Sequence, residues 1–74
     1  MITLEDARKI FAEMVIKSER KYQIDDIWEV YYDEPIYVMT VIDENGNQLF
    51  PGEVFPSIRK TDGSLCNFSF PTPT

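Results

Sequence analysis

The sequence predicts an α+β domain in which one N-terminal amphipathic helix packs on one face of a four- to five-stranded antiparallel meander sheet. Three observations predict it. Apolar residues first recur at three- and four-residue steps, the period of a helix with one buried face. After Tyr22 the period changes to two, through runs rich in β-branched and aromatic residues. Between those runs stand Asn45-Gly46, Pro51-Gly52 and Asp62-Gly63, which are turn signals. At 74 residues the chain has room for one domain, placed at residues 1–70 with a frayed tail at 71–74. A domain this short buries only about 60–65% of the surface its unfolded chain exposes, so its margin of stability is small.

Thr3 and Asp6 have the spacing of a capping box, with Asp in place of the usual Glu. Leu4, Ala7, Ile10, Phe11, Met14 and Val15 then fall on one face, and a helix over residues 3–21 follows. Glu5 with Lys9 and Glu13 with Lys17 stand four apart in the favourable order on its outer side. Ile16 lies outside the stripe and is expected at the surface.

Trp28, Val30 and Tyr32 alternate with Ile27, Glu29 and Tyr31 in a first strand, and Asp33-Glu34-Pro35 reads as a turn. The second strand, residues 36–42, sets Tyr37, Met39 and Val41 against Ile36, Val38, Thr40 and Ile42. Asp43-Glu44-Asn45-Gly46-Asn47 predicts a hairpin with a type I′ turn, which needs positive φ at both central residues. Gln48-Leu49-Phe50 starts the return strand. Residues 54–60 form a further strand in which Pro56 favours an edge or a bulge. A second turn at Thr61-Asp62-Gly63-Ser64 leads into the last strand, residues 65–70, with Cys66, Phe68 and Phe70 on one face. Pro71-Thr72-Pro73-Thr74 cannot continue a ladder.

Composition removes most catalytic chemistries. The chain has no histidine, hence no imidazole base, no Ser-His or Cys-His pair and no histidine metal ligand. Its one cysteine, Cys66, allows neither an internal disulfide nor a cysteine zinc cluster, and points to a reducing compartment. The first six residues lack the basic start and apolar stretch of a signal peptide, and no apolar run is long enough to span a bilayer. A cytoplasmic, non-enzymatic protein with no cofactor and no metal is expected.

Carboxylate pairs at Asp25-Asp26 and Asp33-Glu34 are the candidates for acid–base work. Both fall near turns, and neighbours in a strand point to opposite faces, so neither pair meets the demand for a shared cleft. The segment from Asp43 resembles the opening of a calcium loop, but Gly46 is fourth rather than sixth and Val54 stands where the twelfth-position Glu is needed. Gly46, Gly52 and Gly63 are scattered and form no phosphate cradle.

Charge carries more information. Residues 22–58 hold eight acidic side chains and no basic one: Asp25, Asp26, Glu29, Asp33, Glu34, Asp43, Glu44 and Glu53. The flanks are close to neutral, so this block accounts for the net charge of −6. Such a block serves solubility at least. It repels phosphates, which excludes direct nucleic-acid binding by Trp28, Tyr31, Tyr32 and Tyr37 despite their stacking surfaces, and it attracts basic partners. One helix covers one face of a sheet. Ile27, Tyr31 or their neighbours would then form an open aromatic patch rimmed by Glu29, Asp33 and Glu34, the composition of a protein-binding surface.

Ile2 to Ala7 (Ile-Thr-Leu-Glu-Asp-Ala), then strands, then Pro56 to Gly63 (Pro-Ser-Ile-Arg-Lys-Thr-Asp-Gly) before an aromatic strand, resembles the small PepSY-like and polymorphic-toxin immunity domains of bacteria. Ile58 to Gly63 carries that resemblance, in element order across most of the chain. It implies a non-enzymatic inhibitor that binds one cognate protein. The expectation is an immunity protein or inhibitor meeting a basic or catalytic-cleft-bearing partner, a toxin or a nuclease, through Trp28, Glu29, Tyr31, Asp33, Glu34, Asp43 and Glu44. The alternatives are a phage-encoded nucleic-acid mimic that inhibits a host nuclease, and an accessory or structural subunit that homodimerises through the open sheet. No membrane partner is expected.

Overall fold

The computed structural model describes residues 1–50, 52 and 54–66, with Tyr32 described in its main chain only. The elements are α1 (Leu4–Lys17), β1 (Gln23–Tyr32), β2 (Glu34–Ile42), β3 (Gln48–Leu49), β4 (Ser57–Arg59) and β5 (Leu65–Cys66). One helix lies on an antiparallel sheet, the expected α+β class. The expected continuation of the last strand to residue 70 and the tail at 71–74 lie outside the described residues, as do Pro51 and Glu53.

The capping box forms as read. Thr3 Oγ1 accepts from the Asp6 N–H at 3.2 Å, and Asp6 Oδ2 accepts from the Thr3 N–H at 3.0 Å. The far end differs, because the helix stops at Lys17, four residues early. Ser18 turns its hydroxyl back onto the Val15 carbonyl at 2.6 Å, and Glu19 then takes a left-handed φ of 58° that no helix can continue. Leu4 is half-exposed, and Ile2 packs on the core instead, tied by its N–H to the Lys60 carbonyl at 2.9 Å.

β2 is the centre of the sheet. It pairs with β1 along one side, and with both β4 and β3 along the other: Ile36↔Arg59 and Tyr37↔Ile58 near its start, Val41↔Leu49 and Ile42↔Gln48 near its end. The order is therefore β1-β2-β4-β5 with β3 beside β2, a meander interrupted where β4 returns to β2 rather than to β3. The expected edge position for the Pro56 strand is corrected accordingly. Pairing begins only at Ser57, so Pro56 removes no ladder bond and β4 sits inside the sheet.

Two turns also differ from expectation. Glu34 and Pro35 belong to β2, and Asp33 alone reverses the chain, at φ 62°, between the paired Tyr32 and Glu34. The β2–β3 hairpin is not type I′. Only Gly46 has positive φ (83°), the Gly46 N–H meets the Asp43 carbonyl at 3.0 Å, and the Asp43 N–H meets the Asn47 carbonyl at 3.0 Å. This is a three-residue loop closed by a left-handed glycine. Asp43 selects it: its Oδ1 accepts from the Asn45 and Asn47 amides at 2.8 and 2.9 Å, which holds Asn45 at negative φ.

Ala7 and Phe11 of α1 pack with Ile27, Tyr37, Met39, Val41 and Ile58 of the sheet, so the Tyr37-Met39-Val41 side of β2 faces the helix. Ile10, Met14, Val15, Ile24, Leu49, Val54 and the edge-to-face pair Tyr22–Phe55 surround this core. Directly opposed residues share a face. Ile27, Glu29 and Tyr31 therefore stand on the helix side, and Trp28 and Val30 on the other.

Candidate functional site

The seven residues expected to meet a partner fall at three places. Glu29 and Tyr31 lie on the helix side of β1, beyond the helix, and Asp33 forms the hairpin tip beside them. Trp28 and Glu34 lie on the opposite face, where Trp28 opposes Val38. Asp43 and Glu44 sit in the β2–β3 loop at the other end of β2.

The open sheet face expected from a single helix is not present at its centre. On the side turned away from α1, Val38, Thr40 and Ser57 are fully buried and Ile36 is nearly so. Ile27 is also buried, on the helix side as part of the core, and forms no patch with Tyr31. Tyr31 itself is 75% exposed and, among the described residues, is the aromatic ring of that expected patch that stands in solvent.

The acidic rim is partly neutralised by residues far away in the chain. Lys60 Nζ bonds Glu29 Oε2 at 2.7 Å on the helix side, and Arg59 Nε bonds Glu34 Oε1 at 2.7 Å on the opposite side. Two successive residues, the last of β4 and the one after it, thus project to opposite faces and each reaches a carboxylate of the β1–β2 hairpin. Arg59 also donates from Nη1 to Ser64 Oγ and the Leu65 carbonyl, which fixes its plane. The Glu29 hydrogen bond holds Lys60 above the usual lysine pKa.

Asp43 is equally committed. The Asn47 amide, helped by the Asn45 amide, holds its pKa below the usual carboxylate value, and the group serves its own loop. Asp25, in the bulge between Ile24 and Asp26, accepts from Gln48 Nε2 at 2.6 Å and from Thr40 Oγ1 at 3.4 Å, tying β1 to β2 and β3. Among the described residues Asp33 and Glu44 have no ion pair or hydrogen-bond partner through their carboxylates.

A shallow cleft of about 510 Å³ lies between Arg20, Lys21 and Tyr22 after the helix and Asp43, Glu44 and Asn45 of the loop. It sets two cations facing two carboxylates, with Arg20 Nη1 resting on the Tyr22 hydroxyl at 3.1 Å. The sequence shows both charge pairs but not that they line one cleft. Cys66 lies opposite Ser57 on the face away from the helix, and burial pushes its thiol pKa up, the reverse of what a nucleophilic cysteine needs. Among the described residues no group of three or more His, Cys, Asp or Glu side chains is placed to hold a metal, and no helix is long and apolar enough to cross a membrane.

What the corner at the β1–β2 hairpin offers is a contact surface: a solvated tyrosine ring, a free carboxylate at Asp33, and two carboxylates braced by Lys60 and Arg59. The sequence matches no family model, and comparison with curated proteins and with solved structures finds no significant match.

Proposed function

We propose that the chain is a non-enzymatic, acidic protein-binding domain, an immunity protein or inhibitor that blocks a cognate toxin by direct contact. One observation carries this reading. Tyr31 is 75% exposed between Glu29 and Asp33, within a 37-residue stretch that holds eight acidic side chains and no basic one. An aromatic ring with a charged rim is the usual make-up of an interface anchor. The raised pKa of Cys66 supports a role without nucleophilic chemistry. The ion pairs at Glu29 and Glu34 support a surface already ordered before binding, which lowers the entropy lost on association.

The test is a pull-down with the tagged chain from its own cells, followed by dissociation kinetics on the captured partner. Tyr31→Ala should speed dissociation about tenfold or more, the loss expected when a buried interface anchor is truncated. Ile16→Ala, on the exposed side of the helix, should leave it unchanged. Equal dissociation rates for Tyr31→Ala and the unaltered chain overturn the reading.

A further inference from the structure

We propose that the outer edge of β1 takes up a basic, extended segment of the partner protein as an additional strand beside Glu29 and Tyr31. The proposal rests on the protein-binding reading above and names how the partner is held. Among the described residues β1 pairs with β2 alone and ends the sheet.

The direction of its main-chain groups follows from one bond. The Pro35 carbonyl accepts from the Lys60 N–H at 3.0 Å, so Pro35 faces β4. Successive residues of a strand turn their N–H and C=O to opposite edges, so Ile36 and Val38 face β1. Their partners Val30 and Trp28 face back toward β2. Ile27, Glu29 and Tyr31 therefore present their main-chain groups outward.

Proteins usually blunt such an edge with a bulge, a proline, a lysine or a side chain that caps it. β1 does so at one end only. The bulge at Ile24/Asp26 interrupts the ladder there, and Asp26 Oδ1 takes the Ile27 N–H at 2.9 Å. From Glu29 to Tyr31 no proline, lysine or bulge protects the edge, and no described residue bonds its outward amides. Tyr31, 75% exposed, flanks this stretch on the helix side, so an incoming strand meets a solvated aromatic ring there.

Charge selects the occupant. Asp25, Asp26, Glu29 and Asp33 line β1 and its turn; Lys60 pairs with Glu29 and Gln48 holds Asp25, and among the described residues Asp26 and Asp33 have no cation beside them. A second copy is disfavoured, because antiparallel pairing of residues 27–31 with themselves puts Glu29 opposite Glu29, and each copy brings a net charge of −6. A segment with Lys or Arg at alternate positions suits both the ladder and the charge.

The experiment titrates the full ¹⁵N-labelled chain with acetyl-Lys-Val-Lys-Val-Lys-Val-Lys amide and follows amide shifts and hydrogen exchange. The expected result is a shift at Glu29 and Tyr31 with exchange slowed about tenfold or more, and no effect from the same peptide carrying Glu in place of Lys. Tyr31→Pro removes one outward N–H at a position where an edge strand tolerates proline, and should weaken the peptide at least tenfold more than Tyr31→Ala does. Should Tyr31→Pro fail to fold, the exchange data on the unaltered chain decide. Unchanged exchange at both amides overturns the proposal. So does an equal response to the acidic peptide, or concentration-dependent protection without peptide, which would put a second copy at the edge. A silent edge in a chain that still captures a partner overturns the edge and leaves the protein-binding reading standing; a protected edge with no partner captured overturns that reading instead.

Discussion

Lys60 and Glu29 meet at 2.7 Å across the width of the central strand, with the Lys60 ammonium over the Tyr37 ring of that strand, 5.7 Å from its centroid. The lysine follows β4 and the glutamate belongs to β1, so the pair straps β1 to the end of β4 over the helix-facing side of β2. Its Lys60 partner has a pKa raised by the Glu29 hydrogen bond. A raised folded-state value stabilises the fold below the ordinary lysine pKa of 10.5, and that stabilisation disappears as pH climbs through the raised value. Urea titrations from pH 8 to 12 should therefore show the unaltered chain losing more stability above pH 10.5 than Glu29→Gln does. Parallel curves would mean that the strap contributes nothing in solution.

The acid limb has the opposite sign. Asp6, Asp43 and Asp62 all have pKa values below the ordinary 3.8, held there chiefly by hydrogen bonds from Thr3, from the Asn47 amide and from Ser64 respectively. Depressed carboxylates stabilise the fold above their unfolded value, and the contribution is lost as pH falls through the folded one. Stability should accordingly drop below about pH 4. Asp43→Asn should flatten that drop, since the side chain that accepts the loop amides then no longer titrates; thermal melts between pH 2 and 5 measure it.

Gly63 has less freedom to change than Gly46. Its φ is 75°, and a Cβ there would come within 3.2 Å of Ile10 Cδ1 and 3.6 Å of Ile2. The turn also depends on the Gly63 N–H reaching the Arg59 carbonyl at 2.8 Å. Gly63→Ala should cost about 1–2 kcal/mol from the left-handed backbone alone, with Ile10 forced to give way as well. Gly46→Ala pays the same backbone term with open space around it, so the difference between the two variants in chemical denaturation measures the Ile10 contact.

The same residues show why part of the fold was readable and part was not. Thr3 and Asp6 act over three residues, and the helix face and strand alternation act over four or two, so local spacing located them. The end of α1 was overrun because Glu19, Arg20 and Lys21 suit a helix, and the stop comes from the Ser18 hydroxyl and a left-handed Glu19 rather than from a glycine. The Asn45-Gly46 pair signalled a hairpin correctly, yet the turn type was set by the Asp43 carboxylate two residues earlier. The candidate surface was hardest to read. Arg59 and Lys60 lie 25 and 31 residues from Glu34 and Glu29, and nothing local announces that they will neutralise that rim. Nor does an alternating strand reveal that Val38 and Thr40 will be as deeply buried as Met39.

That redistribution of charge changes which carboxylate steers a partner. Reversing Glu29 or Glu34 would break the bonds to Lys60 and Arg59 and so disturb the fold as well as the field. Asp33 is the better probe. It holds φ 62° as the sole residue between Tyr32 and Glu34, a conformation that glycine adopts without strain. Relief of that strain and the added freedom of an unfolded glycine oppose each other, so Asp33→Gly should change stability by less than about 1 kcal/mol. It removes one negative charge from the hairpin tip and leaves both ion pairs in place. If the tip guides a basic partner inward, association with the captured partner should slow at low ionic strength. The difference should vanish near 1 M salt, where the screening length falls to about 3 Å. Dissociation should stay unchanged, because the exposed carboxylate acts at a distance while Tyr31 makes the contact. Stopped-flow association across a salt series separates these cases, and identical low-salt rates for Asp33→Gly and the unaltered chain would leave the hairpin tip with no part in steering.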